Sequence, residues 1–206
     1  MAFLTGLGIL SALVATGSTL KCEVCYAEDM NCTSSSQSCN KQHEHEACQT
    51  TVTEQNYRGN MTLIFEKSCV LYPSACNTSY SFSTQNSSVR FQSWCCNAEN
   101  CNTDPTILPQ KNTTKNGVTC PVCELAFSNE CDSKGQTMEC SGEEIKCINF
   151  AGAVHQAGGS IIHLAFQGCI TRRPCETKIK PYPDSQFEEG FTFNCTSGIS
   201  TSTYLS

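Results

Sequence analysis

Eighteen cysteines fall into two sets with matching spacing, and this repeat limits the possible fold more than any other feature of the chain. The first set is Cys22, Cys25, Cys32, Cys39, Cys48, Cys69, Cys76, Cys95, Cys96 and Cys101. The second is Cys120, Cys123, Cys131, Cys140, Cys147, Cys169, Cys175 and Cys195. Counted as intervening residues, the first seven gaps are 2, 6, 6, 8, 20, 6 and 18 in one set and 2, 7, 8, 6, 21, 5 and 19 in the other. Agreement over seven gaps in order marks an internal duplication. The copies are unequal. The first closes with the Cys95-Cys96 doublet and Cys101, whereas the second stops at Cys195. Between them, residues 103–119 hold Pro105, Pro109, Asn112, Asn116 and Gly117, which reads as a linker.

The units so defined, 20–102 and 120–206, are small enough that cross-links must supplement the apolar core. A disulfide contributes about 2–4 kcal/mol, mainly by restricting the unfolded chain. That use of cysteine requires an oxidising compartment. The N-terminus is consistent with one: Phe3 to Val14 is a short apolar run ending in Ala15, Thr16, Gly17 and Ser18. Residues 1–19 are therefore expected to be a secretory signal peptide. The C-terminal stretch from Thr196 to Ser206 is rich in Ser and Thr and lacks the apolar tail of a lipid-anchor signal. A secreted, extracellular product without a stable membrane anchor is expected.

In that compartment the six N-x-S/T sequons at Asn31, Asn60, Asn77, Asn86, Asn112 and Asn194 are glycosylation candidates, so a glycoprotein is expected. The net charge of −6 argues against nucleic acid or an anionic membrane as partner, and is compatible with a basic protein partner.

The long gaps read as β-hairpins. Thr50 to Glu54 is β-prone, Asn56 to Asn60 is a turn, and Met61, Leu63 and Phe65 then alternate with Thr62, Ile64 and Glu66. Tyr80 and Phe82 share a face, Gln85-Asn86-Ser87 turns, and Val89 and Phe91 return. In the second unit, Ile162, Leu164 and Phe166 alternate after a turn at Gly158-Gly159-Ser160, leaving His163 on the opposite face. The fold class is all-β, small and disulfide-rich. Tyr80, Phe82, Phe91 and Trp94 are read as core.

The opening Leu20-x-Cys22-x-x-Cys25 and the ending Cys95-Cys96-x4-Cys101-Asn102 resemble a Ly6/uPAR three-finger (snake-toxin-like) domain. The resemblance implies the pairs Cys22–Cys48, Cys25–Cys32, Cys39–Cys69, Cys76–Cys95 and Cys96–Cys101, with Asn102 closing the base of the unit. Carried to the second unit, it implies Cys120–Cys147, Cys123–Cys131, Cys140–Cys169 and Cys175–Cys195. A ten-Cys unit followed by an eight-Cys unit is similar to the gamma-type phospholipase A2 inhibitors, as is Lys146-Cys147-Ile148-Asn149-Phe150-Ala151-Gly152. The likeness implies a non-enzymatic protein that binds and blocks a secreted phospholipase A2, often as an oligomer. Two-unit Ly6/uPAR proteins also include receptor-binding and adhesion modules with no phospholipase target.

Enzyme and metal chemistry find little support. Cys22-x-x-Cys25 and Cys120-x-x-Cys123 could serve zinc or redox chemistry, but every cysteine is absorbed by the repeat. His43 and His45 lack a third ligand, and His45-Glu46-Ala47-Cys48 lacks the His-Asp pair of a secreted phospholipase. No cofactor is expected. Three places are candidates for a partner contact: the linker residues Pro105, Ile107, Leu108 and Pro109; the turn residues Tyr57 and Arg58; and the acidic pairs Glu143-Glu144 and Glu188-Glu189, which would steer a basic enzyme.

Overall fold

A computed structural model of the chain describes residues 19–28, 32–33, 35–39, 46–71, 76–104, 106–155, 161–177, 186–187 and 190–200. Residues 1–18 of the expected leader, Asn31, His43, His45, Pro105, the expected turn at 158–160, Glu188 and Glu189 lie outside them.

The first unit contains β1 (Lys21–Ala27), β2 (Ser35–Ser38), β3 (Glu46–Tyr57), β4 (Asn60–Leu71), β5 (Ser79–Ser83) and β6 (Ser87–Cys96). The second contains β7 (Lys115–Pro121), β8 (Cys123–Ala126), β9 (Thr137–Ser141), β10 (Lys146–His155), β11 (Ile161–Ile170), the short helix α1 (Arg172–Thr177), β12 (Gln186–Phe187), β13 (Thr192–Ser197) and β14 (Ile199–Ser200). β7 begins at Lys115, inside the stretch read as linker, because residues 115–121 pair with β9 and β14 in a small separate sheet. The irregular connection is thus shorter than 103–119.

The central hairpin of the first unit shows why this sequence makes long fingers. β3 and β4 pair from Glu46↔Leu71 to Tyr57↔Asn60, which leaves a two-residue turn at Arg58-Gly59. Both turn residues have positive φ, 51° and 88°. That backbone matches the right-handed twist of the flanking strands. Gly59 adopts it freely, whereas Arg58 pays the Cβ penalty. Asn56 Oδ1 accepts the Gly59 N–H at 3.0 Å, and the Arg58 guanidinium sits 5.2 Å from the Tyr57 ring centroid. Along β4 the buried face is Phe65 and Lys67, while Met61, beside the turn, is exposed. Lys67 Nζ donates to the Thr103 carbonyl, which gives its charge a partner under the sheet.

Disulfides tie the fingers at their base. The pairs are Cys22–Cys48, Cys25–Cys32, Cys39–Cys69, Cys76–Cys95 and Cys96–Cys101 in the first unit. In the second they are Cys120–Cys147, Cys123–Cys131, Cys140–Cys169 and Cys175–Cys195. These are the nine pairs that the resemblance implies, and no cysteine is left free. Asn102, buried, fastens the base by accepting the Glu23 N–H and donating to the Glu23 and Gln49 carbonyls.

The two units are not independent. The first sheet runs β2-β1-β4-β3-β6-β5, and β5 continues onto β11, which pairs with β10. The junction is Ser83↔Cys169 and Phe82↔Ile170. β5 would otherwise end the sheet with an unpaired edge, and β11 covers it. The main apolar cluster bridges the same junction: Phe82 and Val89 from the first unit pack with Ile148, Phe150, Val154, Phe166 and Ile170 from the second. Phe82 stacks on Phe166 at 5.2 Å, and Phe166 on Phe150 at 5.0 Å. The alternation after the second hairpin turn is as read: Phe166 is buried, Ile162 and Leu164 pack against the cluster, and His163 faces out.

Candidate functional site

β5 alternates Ser79, Tyr80, Ser81, Phe82 and Ser83, and its two faces serve different purposes. On the aromatic face Phe82 enters the shared core, and Tyr80, buried, stacks on Phe91 at 4.9 Å. The serine face meets the second unit. Ser81 Oγ and Ser83 Oγ both donate to Glu144 Oε1, at 2.8 and 3.0 Å. Backbone bonds reinforce this: the Thr171 N–H donates to the Ser81 carbonyl at 2.9 Å, and the Ser81 N–H to Thr171 Oγ1 at 3.2 Å. At the tip of the hairpin, Glu124 of β8 accepts from Thr84 Oγ1, Ser87 Oγ and the Asn86 N–H. Arg173 closes the other end by donating to the Asn77 carbonyl.

Glu144 is the buried charge of this joint. It is 3% exposed, and Oε2 has no hydrogen-bond partner. Burial raises its carboxyl above the ordinary carboxylate value, because ionisation there forfeits hydration. The Ser81 and Ser83 hydroxyls and the charges of Lys111 and Lys115 offset part of that.

Above the joint lies a cleft of about 670 Å³. Its walls are the outer face of β5 and β6, the linker from Leu108 to Asn112, the Glu143–Ile145 loop and the start of α1. Arg90 fixes the linker wall. Its Nη1 donates to both carboxylate oxygens of Glu54, at 3.1 and 3.2 Å, and its Nη2 donates to the Pro109 carbonyl.

The residues singled out for partner contact are scattered. Tyr57 and Arg58 stand exposed at the finger tip, far in register from the base that joins the second unit. Ile107 is 69% exposed and points to solvent, whereas Leu108 is half-buried and lines the cleft. Pro109 is exposed and contributes its carbonyl to Arg90. Glu143 is exposed on the cleft rim. Glu144 departs from the expectation of a steering acid: its carboxylate is turned onto two serines between the units and presents no charge to solvent. Asn60, Asn77, Asn86, Asn112 and Asn194 are all exposed. The inter-unit contacts of Glu124, Ser81, Ser83 and Gly168 were not among the sequence candidates, and the only signal for them was the serine spacing opposite Tyr80 and Phe82.

Two disulfide-knotted units of β fingers, fused edge to edge, define a tandem three-finger protein. A family model of the u-PAR/Ly-6 domain matches residues 18–104 and 116–198, and the chain belongs to that family. It is 26% identical over 194 residues to "Phospholipase A2 inhibitor NAI" of Notechis ater, covering 93% of this chain and 94% of that one. It is 30% identical over 156 residues to "Phospholipase A2 inhibitor 31 kDa subunit" of Naja kaouthia, covering 74% and 79%. Among solved structures, that of mouse TEX101 matches with a TM-score of 0.39 and 22% identity, over 80% of this chain and 88% of that one. No helix among the described residues is long and apolar enough to cross a membrane.

Proposed function

We propose that this chain is a secreted, non-enzymatic protein that binds a secreted phospholipase A2 and blocks it. The observation that carries this reading is the span of the likeness: a relative named as a phospholipase A2 inhibitor aligns with both units and the connection between them, over 93% of the chain. The structure is compatible with inhibition by contact. Its cysteines are all oxidised, so they offer no thiolate nucleophile. In this reading residues 1–19 are the leader, 20–102 and 120–206 are the two units, and the exposed sequons are candidates for glycans.

The test is a pull-down of a panel of secreted phospholipases on the purified, oxidised protein, followed by their hydrolysis of mixed micelles. Stoichiometric inhibition of at least one enzyme is expected, and capture of none of them defeats the reading. A second reading, a soluble receptor-binding module of the same family, is favoured by one feature: Tyr57 and Arg58 stand together, exposed, at the end of twelve-residue strands. Binding to a cell surface that Tyr57→Ala abolishes, without any phospholipase binding, would select it.

A further inference from the structure

The cleft between the units has a charge opposite to that of the whole chain. The sequence carries 19 acidic and 13 basic side chains. The cleft is lined by four of those cations, Arg90, Lys111, Arg172 and Arg173, and by two acids, Glu143 and Glu144. Arg90 is committed to Glu54 and the Pro109 carbonyl. Glu144 is committed to Ser81 and Ser83 beneath the floor. What remains for a ligand is Lys111, Arg172 and Arg173, against Glu143 and the Glu144 carboxylate, which Lys111 faces across the floor.

The two arginines are exposed and readily available, and Lys111 is half-buried beside Glu144. Arg172 meets Glu176 only at 3.8 Å, with the two side chains 60% and 64% exposed, and so loose a surface pair contributes little. Arg173 gives one N–H to the Asn77 carbonyl, which leaves most of its fork free. Leu108 and Ile145 add an apolar strip to the same walls. A volume of about 670 Å³ suits a short inserted segment better than a flat docking face. The mixed lining favours a chain that alternates carboxylates with apolar side chains. A sulfated sugar would leave Leu108 and Ile145 unused.

We propose that this cleft takes an acidic peptide segment of the protein partner, its carboxylates on Lys111, Arg172 and Arg173 and an apolar side chain against Leu108 and Ile145. Only the naming of that partner as a phospholipase rests on the function proposed above. The preference for acidic peptide does not.

Two arms separate the ideas. In the first, a fluorescein-labelled hexapeptide alternating Glu and Leu, its Lys-Leu counterpart and a heparin tetrasaccharide are titrated into the whole protein by anisotropy. Saturable binding of the Glu peptide, weakened about tenfold by Lys111→Glu with Arg172→Glu and unaffected by Lys111→Arg with Arg172→Lys, is expected. Glu143→Lys should tighten it, which keeps a readout should the double reversal fail to fold. Equal affinity for the two peptides, or saturable binding of heparin alone, overturns the proposal. In the second arm the same variants are assayed against one acidic and one basic secreted phospholipase. Stronger inhibition of the acidic enzyme, lost in the double reversal, is expected. Inhibition that the reversal leaves intact refutes the cleft as the contact while the inhibitor reading stands. Absence of inhibition with intact peptide binding refutes the inhibitor reading and leaves the cleft's specificity in place.

Discussion

Gly168 offers the most direct test of whether the two units act as one body. A Cβ built there would lie 2.1 Å from the Ser83 carbonyl oxygen, 3.0 Å from Ser83 C and 3.2 Å from Thr84 Cα. All three are backbone atoms of the first unit, so no side chain can swing aside. Restoring an ordinary contact near 3.4 Å requires β5 and β11 to part by about 1.3 Å, the difference between that contact and the 2.1 Å approach. That separation stretches the pairs Ser83↔Cys169 and Phe82↔Ile170 and draws Ser83 away from Glu144. Overpacking of this kind costs about 1–3 kcal/mol. For a chain of this size that corresponds to a fall in melting temperature of roughly 2–12 °C. Each unit keeps its own disulfides, since none of the nine crosses between them. The expected result for Gly168→Ala is therefore native disulfide mass mapping and a near-native β spectrum. With them should come a lower melting temperature, faster proteolysis within 106–114 and a larger radius of gyration. Unchanged melting and unchanged cleavage of the linker would refute a rigid inter-unit joint.

Further substitutions probe single parts of the argument. The folded-state carboxyl of Glu144 is raised above its unfolded value of 4.5, so the folded protein binds a proton more readily than the unfolded one. Stability is then expected to be fullest below that unfolded value and to decline as pH rises through the folded one. Glu144→Gln keeps an acceptor for Ser81 and Ser83 and should flatten this dependence in melting scans from pH 4 to 8. An unchanged slope counts against it. Arg58→Asn relieves the left-handed penalty in the finger turn and should stabilise by about 0.5–1 kcal/mol in urea titrations, whereas Gly59→Val should destabilise. Asn102→Ala removes three hydrogen bonds at a buried site and should cost about 2–3 kcal/mol. Retention of wild-type stability would mean that water replaces the amide.

What the sequence reveals and what it hides divide along a physical line. Cysteine spacing registers the hairpin lengths, because the cysteines stand opposite each other at the finger bases, Cys48↔Cys69 and Cys147↔Cys169, each tied to a different cysteine of the knot; hence these two fingers were legible. Alternation placed Phe82, Val89 and Phe166 on core faces, but it could not say that they share one core, since a strand's apolar face names no partner. The joint was hidden for a second reason. Glu144 beside Glu143 has the appearance of an exposed acidic pair, and nothing local distinguishes the two. Only the return of β5 and its serines, 61 residues and more away in sequence, buries one and leaves the other on the rim. The same fold gathers Lys111 of the linker and Arg172 and Arg173 of α1 on the cleft walls, where they outnumber Glu143 and Glu144. A chain acidic in composition thus lines a cleft between its two halves and their connection with four cations and two acids.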